Sequence, residues 1–175
     1  MITRNDYSWE VQKGLGEQGV LRIIDWLYSL SRTTGVWDVQ DEERYQAKDI
    51  DLLVTAEGSR DNLDDAIAIE VKTDFYTSGN FYFETVSNVG KDTLGCFLKT
   101  DSEFIFYYFI KLDKLYILRT GTVQEWFLAN KSNYEEKHST STDGLYSSKG
   151  YAIPILHVPK TCIQKIIHIT DENRE

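Results

Sequence analysis

The sequence predicts an α/β domain in which a first helix packs against a β-sheet, and three features lead to this prediction. Apolar residues recur at helical spacing up to Leu30, whereas residues 65–74 alternate apolar and polar side chains, as a half-buried strand does. Polar turn residues at 57–64 separate this strand from an apolar run at 49–55. Because 175 residues suffice for one full core, we predict a single domain over residues 1–175.

Composition and charge argue against several classes of protein. No apolar run has the length of a membrane-spanning helix, and residues 1–6 do not form a signal-peptide pattern, so we expect no membrane partner. Cys96 and Cys162 lie far apart without metal-ligand spacing, which is typical of reduced thiols in a cytoplasmic protein. A net charge of −9 argues against a general nucleic-acid coat protein. Residues 91–168 nevertheless carry 10 basic and 8 acidic side chains, so a phosphate-binding surface should draw on the second half.

The first helix is predicted to run from a cap at Asn5 or Asp6 to Leu30. Its apolar stripe consists of Val20, Leu21, Ile24, Leu27 and Tyr28. Glu17 precedes members of this stripe by three, four and seven residues, so we expect its carboxylate on the inward face, where it needs a partner. The alternative is a glutamate at the edge of the stripe whose carboxylate reaches solvent.

The same helix contains the pattern G-x-G-x-x-G at Gly14, Gly16 and Gly19. A dinucleotide site requires a buried strand immediately before the first glycine, and residues 7–13 are mixed and helical instead. We therefore predict no nucleotide cofactor. The glycines are interpreted as points of close approach, either of the helix to the sheet or of a nucleic-acid backbone to the helix.

Two neighbouring strands, which follow a first strand at 35–40, carry charged residues on one face. The aliphatic faces consist of Ile50, Leu52 and Val54 in one strand and Ile67, Ile69 and Val71 in the next. Asp51, Glu70 and Lys72 lie opposite these faces, so strand pairing would bring them together on one side of a sheet. Adjacent carboxylates repel, and oxygen ligands of this kind suit Mg²⁺ or Mn²⁺. The alternative is a solvated strand face, with Asp51 as a turn residue.

The order Asp51, about twenty residues, Glu70-Val71-Lys72 resembles the PD-(D/E)XK nuclease superfamily of restriction-endonuclease-like and Holliday-junction-resolvase-like proteins. The resemblance covers residues 14–74 and extends less clearly to Phe109, although Ile50 stands where the motif usually has proline. It implies a mixed central β-sheet flanked by helices, with the core order α-β-β-β-α-β. It also implies that Asp51, Glu70 and the Val71 carbonyl hold Mg²⁺ or Mn²⁺, that Glu17 holds a metal water, and that Lys72 orients the nucleophile.

A second, local resemblance concerns Lys72-Thr-Asp74, the Gly79-Asn80 turn and Glu84, followed by a glycine-rich stretch. This order is similar to a subset of phage and bacterial proteins of the superfamily. It implies that Asn80, Glu84 and Thr100 bind the substrate. The alternative is a loop turn with a solvated glutamate.

The remaining elements are predicted from local patterns. We expect strands at 104–110, 115–119 and 151–156, a helix opened by a capping box at Thr122 to Glu125, and a closing element at 159–169. The polar residues 131–149 predict a mobile surface loop, and Pro154 indicates an edge strand. No zinc site is expected from His138, His157 and His168, because they form no ligand motif.

The resemblance therefore implies a metal-dependent deoxyribonuclease that hydrolyses DNA phosphodiester bonds, with DNA as its partner. Two such sites in a homodimer would cut both strands, but nothing in the sequence specifies a dimer. The alternative is a non-catalytic DNA- or protein-interaction module of the same fold.

Overall fold

The computed structural model describes residues 9–58, 65–140 and 147–170. Its helices are α1 (Trp9–Ser29), α2 (Glu43–Gln46), α3 (Cys96–Lys99) and α4 (Thr120–Asn130). Its strands are β1 (Thr33–Asp38), β2 (Leu52–Ala56), β3 (Ile67–Asp74), β4 (Asn80–Asn88), β5 (Thr93–Leu94), β6 (Phe104–Phe109), β7 (Lys114–Arg119), β8 (Glu136–Thr140), β9 (Ser147–Pro154) and β10 (Ile163–His168). The predicted cap of the first helix, most of the polar turn after β2 and the C-terminal segment lie outside the described residues.

The strands form two sheets. The first has the order β1-β2-β3-β6-β7-β10 and is mixed, because β3 and β6 pair in parallel whereas the other pairs are antiparallel. The second sheet is antiparallel and has the order β5-β4-β9-β8. The prediction of an α/β protein with a mixed sheet, beginning with a helix and a three-strand meander, is confirmed.

The two faces of the mixed sheet are covered differently, by α1 on one side and by the second sheet together with α3 and α4 on the other. Helix α1 packs on one face, where Phe106 and Tyr108 of β6 join its apolar residues in one core cluster. The opposite face of β6 carries Ile105 and Tyr107, which pack with Phe81 of β4 and with the second sheet. Between β3 and β6 the chain passes through β4, β5 and the one-turn helix α3. The second sheet therefore occupies much of the space that the prediction gave to helices.

Helix α1 lies against β3 through a glycine. A Cβ atom built on Gly19 would lie 1.9 Å from Oγ1 of Thr73, whereas Gly14 and Gly16 have nothing within 4 Å. Of the two interpretations of the glycines, close approach of the helix to the sheet is thus confirmed for Gly19. The buried face of α1 consists of Val20, Ile23, Trp26 and Leu27. The predicted apolar stripe was rotated from this face, as the exposure of Leu21 (60%) and Tyr28 (58%) shows.

Three local predictions in the second half were wrong. Helix α4 begins at Thr120 rather than at a capping box, and no side chain caps its N-terminus. The segment predicted as a loop contains β8 and the start of β9, which pair as neighbouring strands. Pro154 does not mark an edge strand, since β9 lies between β4 and β8 and the proline is its last residue. Alternating polar side chains on a strand exposed on one face resemble a loop in sequence.

Candidate metal and catalytic site

Asp51 lies immediately before β2, and backbone hydrogen bonds fix it on both sides. Its N–H donates to the carbonyl of Ile69 on β3, and its own carbonyl accepts from the N–H of Val39, each at 2.9 Å. Its Oδ2 accepts a 2.7 Å hydrogen bond from the N–H of Val71. The Asp51 carboxylate, at the start of β2, is therefore directed towards Val71 on β3.

Glu70 is the second acid of the site, and its side chain is only 8% exposed. The carboxyl groups of Glu70 and Asp51 lie within hydrogen-bonding reach of each other. Burial raises the pKa of Asp51 to about 6, although the Val71 N–H and the nearby Glu70 carboxyl group both act to lower it. Burial, and then the charge of Asp51, raise the pKa of Glu70 well above its usual range. The structure thus brings the two predicted carboxylates together, with Glu70 buried and Asp51 half-buried.

Lys72 follows Glu70 on the same face of β3 and is half-buried. The Cys96 sulfur raises the pKa of Lys72, burial opposes this, and the carboxylates of Glu84 and Glu70 raise it further. Burial raises the pKa of Cys96 to about 12, so this thiol is neutral near pH 7. Near pH 7, the charged groups that stabilise the Lys72 ammonium are therefore carboxylates.

Asp74 extends the same row, and the sequence reasoning assigned it no role. Its Oδ2 accepts a 2.7 Å bond from the hydroxyl of Tyr107, which itself accepts from the N–H of Tyr82 at 2.8 Å. The period of two from Glu70 through Lys72 to Asp74 was a signal that could have identified it. No sequence pattern predicts the contact with Tyr107, because the tyrosine lies on β6 and its bond to Tyr82 reaches the second sheet.

Thr100 was predicted to bind the substrate, but its side chain is 4% exposed and it points into the protein. Its hydroxyl donates to the carbonyl of Asp49 at 2.7 Å. Lys99 donates to Oδ1 of the same aspartate at 3.0 Å, and the N–H of Asp101 donates to the carbonyl of Lys48 at 2.9 Å. These contacts hold Asp49 in a left-handed turn with φ of 46°. Thr100 therefore fixes the turn that leads into Asp51.

Glu17 does not lie on the inward face of α1, and that prediction was wrong. Its side chain is 60% exposed and forms an ion pair with Lys13 at 3.8 Å, one helical turn away. The observed buried face is centred between Val20 and Ile23, and Glu17 is rotated away from it because α1 turns about 100° per residue. The solvent-facing alternative describes its position.

A cleft of about 580 Å³ opens beside Lys72. Asn80 and Glu84, two predicted substrate-binding residues, line it together with Asp74 and Tyr82. Its floor is one face of the second sheet, and residues 72–78 form a wall. Among the described residues that line the cleft, Lys72 belongs to the predicted catalytic set. Glu70 lies two residues before it on β3, and Asp51 lies before β2.

The donor set fits a divalent cation bound through few protein ligands. Because N–H and C=O of one strand residue point to the same side, the Val71 carbonyl points towards the edge where its N–H meets Asp51. Mg²⁺ typically takes one or two carboxylates and keeps several waters. Within the described ranges, no group of three or more His, Cys, Asp or Glu side chains could hold a metal ion. The candidate ligands are therefore two carboxylates and one peptide oxygen.

Comparison with protein-family models, curated proteins and solved structures found no match to this chain. Among the described helices, none is both long and apolar enough to cross a membrane. The function of the chain is therefore inferred from the geometry of the site.

Proposed function

We propose that this chain is a metal-dependent nuclease of the PD-(D/E)XK type that hydrolyses DNA phosphodiester bonds. The observation that carries the proposal is the close pair of the half-buried Asp51 and the buried Glu70, with Lys72 two residues after Glu70 on the same strand. Supporting features are the helix-first order, the β1-β2-β3 meander and the parallel pairing of β3 with β6.

Each residue of the site has a distinct role in this proposal. Asp51, Glu70 and the Val71 carbonyl would hold Mg²⁺ or Mn²⁺, which when bound would supply a Lewis acid for phosphodiester hydrolysis. The ammonium of Lys72 would orient the attacking water and offset negative charge at the phosphate. Asn80 and Glu84 would contact substrate in the cleft. Thr100 would act as a positioning residue through Asp49. Glu17 has no role in this proposal, because α1 packs on the face of β3 opposite Glu70 and Lys72.

A second candidate is a non-catalytic DNA- or protein-interaction module of the same fold. It is favoured by the exposed position of Glu17 and by the Val71 N–H bond that already occupies Oδ2 of Asp51. In such a protein Asp51 and Glu70 would share a proton and would bind no metal ion.

Nicking of supercoiled plasmid in Mg²⁺, Mn²⁺ or EDTA tests the proposal. We expect metal-dependent nicking by the wild type and a loss of at least a hundredfold in Asp51→Asn and Glu70→Gln. Asp101→Asn is the matched control, because it removes only an exposed carboxylate that pairs with Lys48 and keeps the backbone N–H bond to the Lys48 carbonyl. Nicking that survives both site variants would contradict the proposed site. No nicking together with no response to metal would favour the interaction module.

A further inference from the structure

The face of the second sheet that lines the cleft is more polar than the face that packs on the aromatic core. On β4, Phe81 and Phe83 are buried in that core, whereas the alternate residues Tyr82 and Glu84 line the cleft. On β9 the cleft side has Ser148 and the residues at alternate positions after it, all of them small. The small side chains leave a shallow channel between β4 and β8.

The charges at this channel are few and balanced. Lys72 and Lys137 line the cleft, and so do Asp74 and Glu84. Lys137 also forms an ion pair with the exposed Glu135. Lys137 of β8 pairs with Gly150 of β9, and Gly150 pairs with Glu84 of β4. Lys137 and Glu84 therefore lie on opposite sides of the cleft floor. A surface with two lysines can neutralise few phosphates, in contrast to a surface that follows a duplex backbone.

The dimensions also favour one strand over two. The floor from β8 to β4 spans two strand spacings, roughly 10 Å, and the cleft volume of about 580 Å³ suits an occupant of small-molecule size. A protein that binds a duplex typically buries about 1,000 Å² or more of its own surface, which is far more than a floor of this width offers. One or two nucleotides of a single strand match the channel, whereas a duplex does not.

The rest of the lining can contact bases. Tyr76 is 43% exposed, and Phe75 and Tyr82 also line the cleft. The ring of Tyr82 lies against Gly150, where an added Cβ would come within 2.6 Å of Cζ. Hydroxyl and amide groups come from Ser78, Asn80, Ser139, Thr140 and Ser148. Aromatic rings stack with unpaired bases, and neutral polar groups bind base edges without requiring phosphate.

We infer that this cleft holds an unpaired segment of the DNA substrate and leads it past Lys72, so that the protein acts on single-stranded or partly single-stranded DNA. This inference rests on the nuclease function proposed above. It assigns Ser139, Lys137, Tyr76 and Tyr82 to substrate binding.

Neighbouring residues on β8 provide a matched pair of variants. Ser139 lines the cleft, whereas His138 points to the opposite face, where its Nε2 lies 3.4 Å from Glu136. Both side chains are exposed, so a large substitution at either position should leave the fold intact. Ser139→Trp fills the channel, and His138→Trp adds the same bulk outside it. Tyr76→Ala removes a stacking ring without adding bulk.

Binding is measured by fluorescence anisotropy in EDTA, with a labelled oligothymidylate and a blunt duplex of about 20 nucleotides each. We expect the wild type to bind the single strand at least tenfold more tightly than the duplex. Ser139→Trp should lose at least tenfold and Tyr76→Ala about fivefold, whereas His138→Trp should match the wild type. The logarithm of the binding constant should fall with the logarithm of salt concentration with a slope of about −0.7 to −1.4, as for one or two phosphates.

The outcomes separate this inference from the proposed function. Equal or tighter binding of the duplex would overturn the inference, and so would equal losses in Ser139→Trp and His138→Trp. Either result would leave metal-dependent cleavage by Asp51 and Glu70 standing. Single-strand binding that depends on Ser139, in a protein that cleaves no DNA with any metal, would support the cleft assignment and refute the nuclease.

Discussion

The carboxyl groups of Asp51 and Glu70 lie within hydrogen-bonding reach of each other at the start of β2, and burial raises the pKa of both. Without a cation, one proton offsets the repulsion between them. A divalent cation would offset the same repulsion with both groups ionised. A proton and a divalent cation would therefore compete for the carboxylates of Asp51 and Glu70.

The pH dependence of stability follows from the raised pKa of Asp51. An unfolded aspartate titrates near about 3.9, and the folded one titrates near about 6. Between these values the folded state binds more protons than the unfolded state, so this stabilisation is present at low pH and is lost as pH rises through about 6. In metal-free buffer Asp51→Asn should abolish the loss and raise the free energy of unfolding near pH 8 by roughly 1 to 3 kcal/mol. Urea unfolding at several pH values measures this.

The control for that prediction is Asp101→Asn, which removes an exposed carboxylate and should leave the pH profile of stability unchanged. A wild-type profile that is flat between pH 4 and pH 8, or unchanged in Asp51→Asn, would show that the acid pair does not share a proton.

Lys72→Met should reduce cleavage far more than stability. The substitution keeps the length and apolar contacts of the side chain and removes the charge that faces Glu70 and Glu84. We expect nicking to fall by at least a hundredfold in rate, while the protein remains folded. Lys160→Met, at an exposed position, is the control. Comparable losses of activity in the two variants would argue against a specific role for the Lys72 ammonium.

Thr100→Val tests the positioning role of the buried hydroxyl. The variant loses the bonds to the Asp49 carbonyl and to Oγ of Ser102 at nearly constant volume. We expect a loss of about 1 to 3 kcal/mol in the free energy of unfolding and weaker Mn²⁺ binding. Thr93→Val, at an exposed position on β5, should change neither quantity. Unchanged Mn²⁺ affinity in a folded Thr100→Val protein would mean that the turn at Asp49 does not position Asp51.

Gly19→Ala tests the contact between α1 and β3. The new methyl group would lie 1.9 Å from Oγ1 of Thr73, so the helix must shift, and we expect a loss of about 1 to 3 kcal/mol in thermal or urea unfolding. Gly14→Ala meets nothing within 4 Å and should be neutral or stabilising, since alanine favours helix over glycine. Thr73→Ala should recover part of the loss in the double variant. Equal effects at Gly14 and Gly19 would contradict the close approach.

The residues that could be predicted from the sequence are those whose positions follow from local periodicity. The alternation in β3 correctly placed Ile69 and Val71 in the core below α1 and Glu70 on the opposite face. Glu17 was misplaced because the stripe on α1 was assigned from residues that include two exposed ones, Leu21 and Tyr28. An error of one helical position rotates a side chain by about 100°.

Features that depend on distant contacts could not be predicted from local patterns. The second sheet forms because β4 pairs with β9, about seventy residues later in the chain. Thr100 was assigned to substrate on a resemblance, whereas its contact with Asp49 arises from the packing of α3 against the turn before β2. The cleft and the alignment of Lys137 with Glu84 are consequences of the same long-range pairing.

Calorimetric titration of Mn²⁺ near pH 8 measures directly whether Asp51 and Glu70 hold a divalent cation. We predict one saturable Mn²⁺ site in the wild type and a loss of at least tenfold in Mn²⁺ affinity in Asp51→Asn and Glu70→Gln. Mn²⁺ should also bind more weakly below about pH 6, because protons then compete for the same carboxylates. Asp101→Asn should bind as the wild type does. Equal affinity in the wild type and both site variants, or no binding at all, would contradict the claim that this acid pair is a metal site.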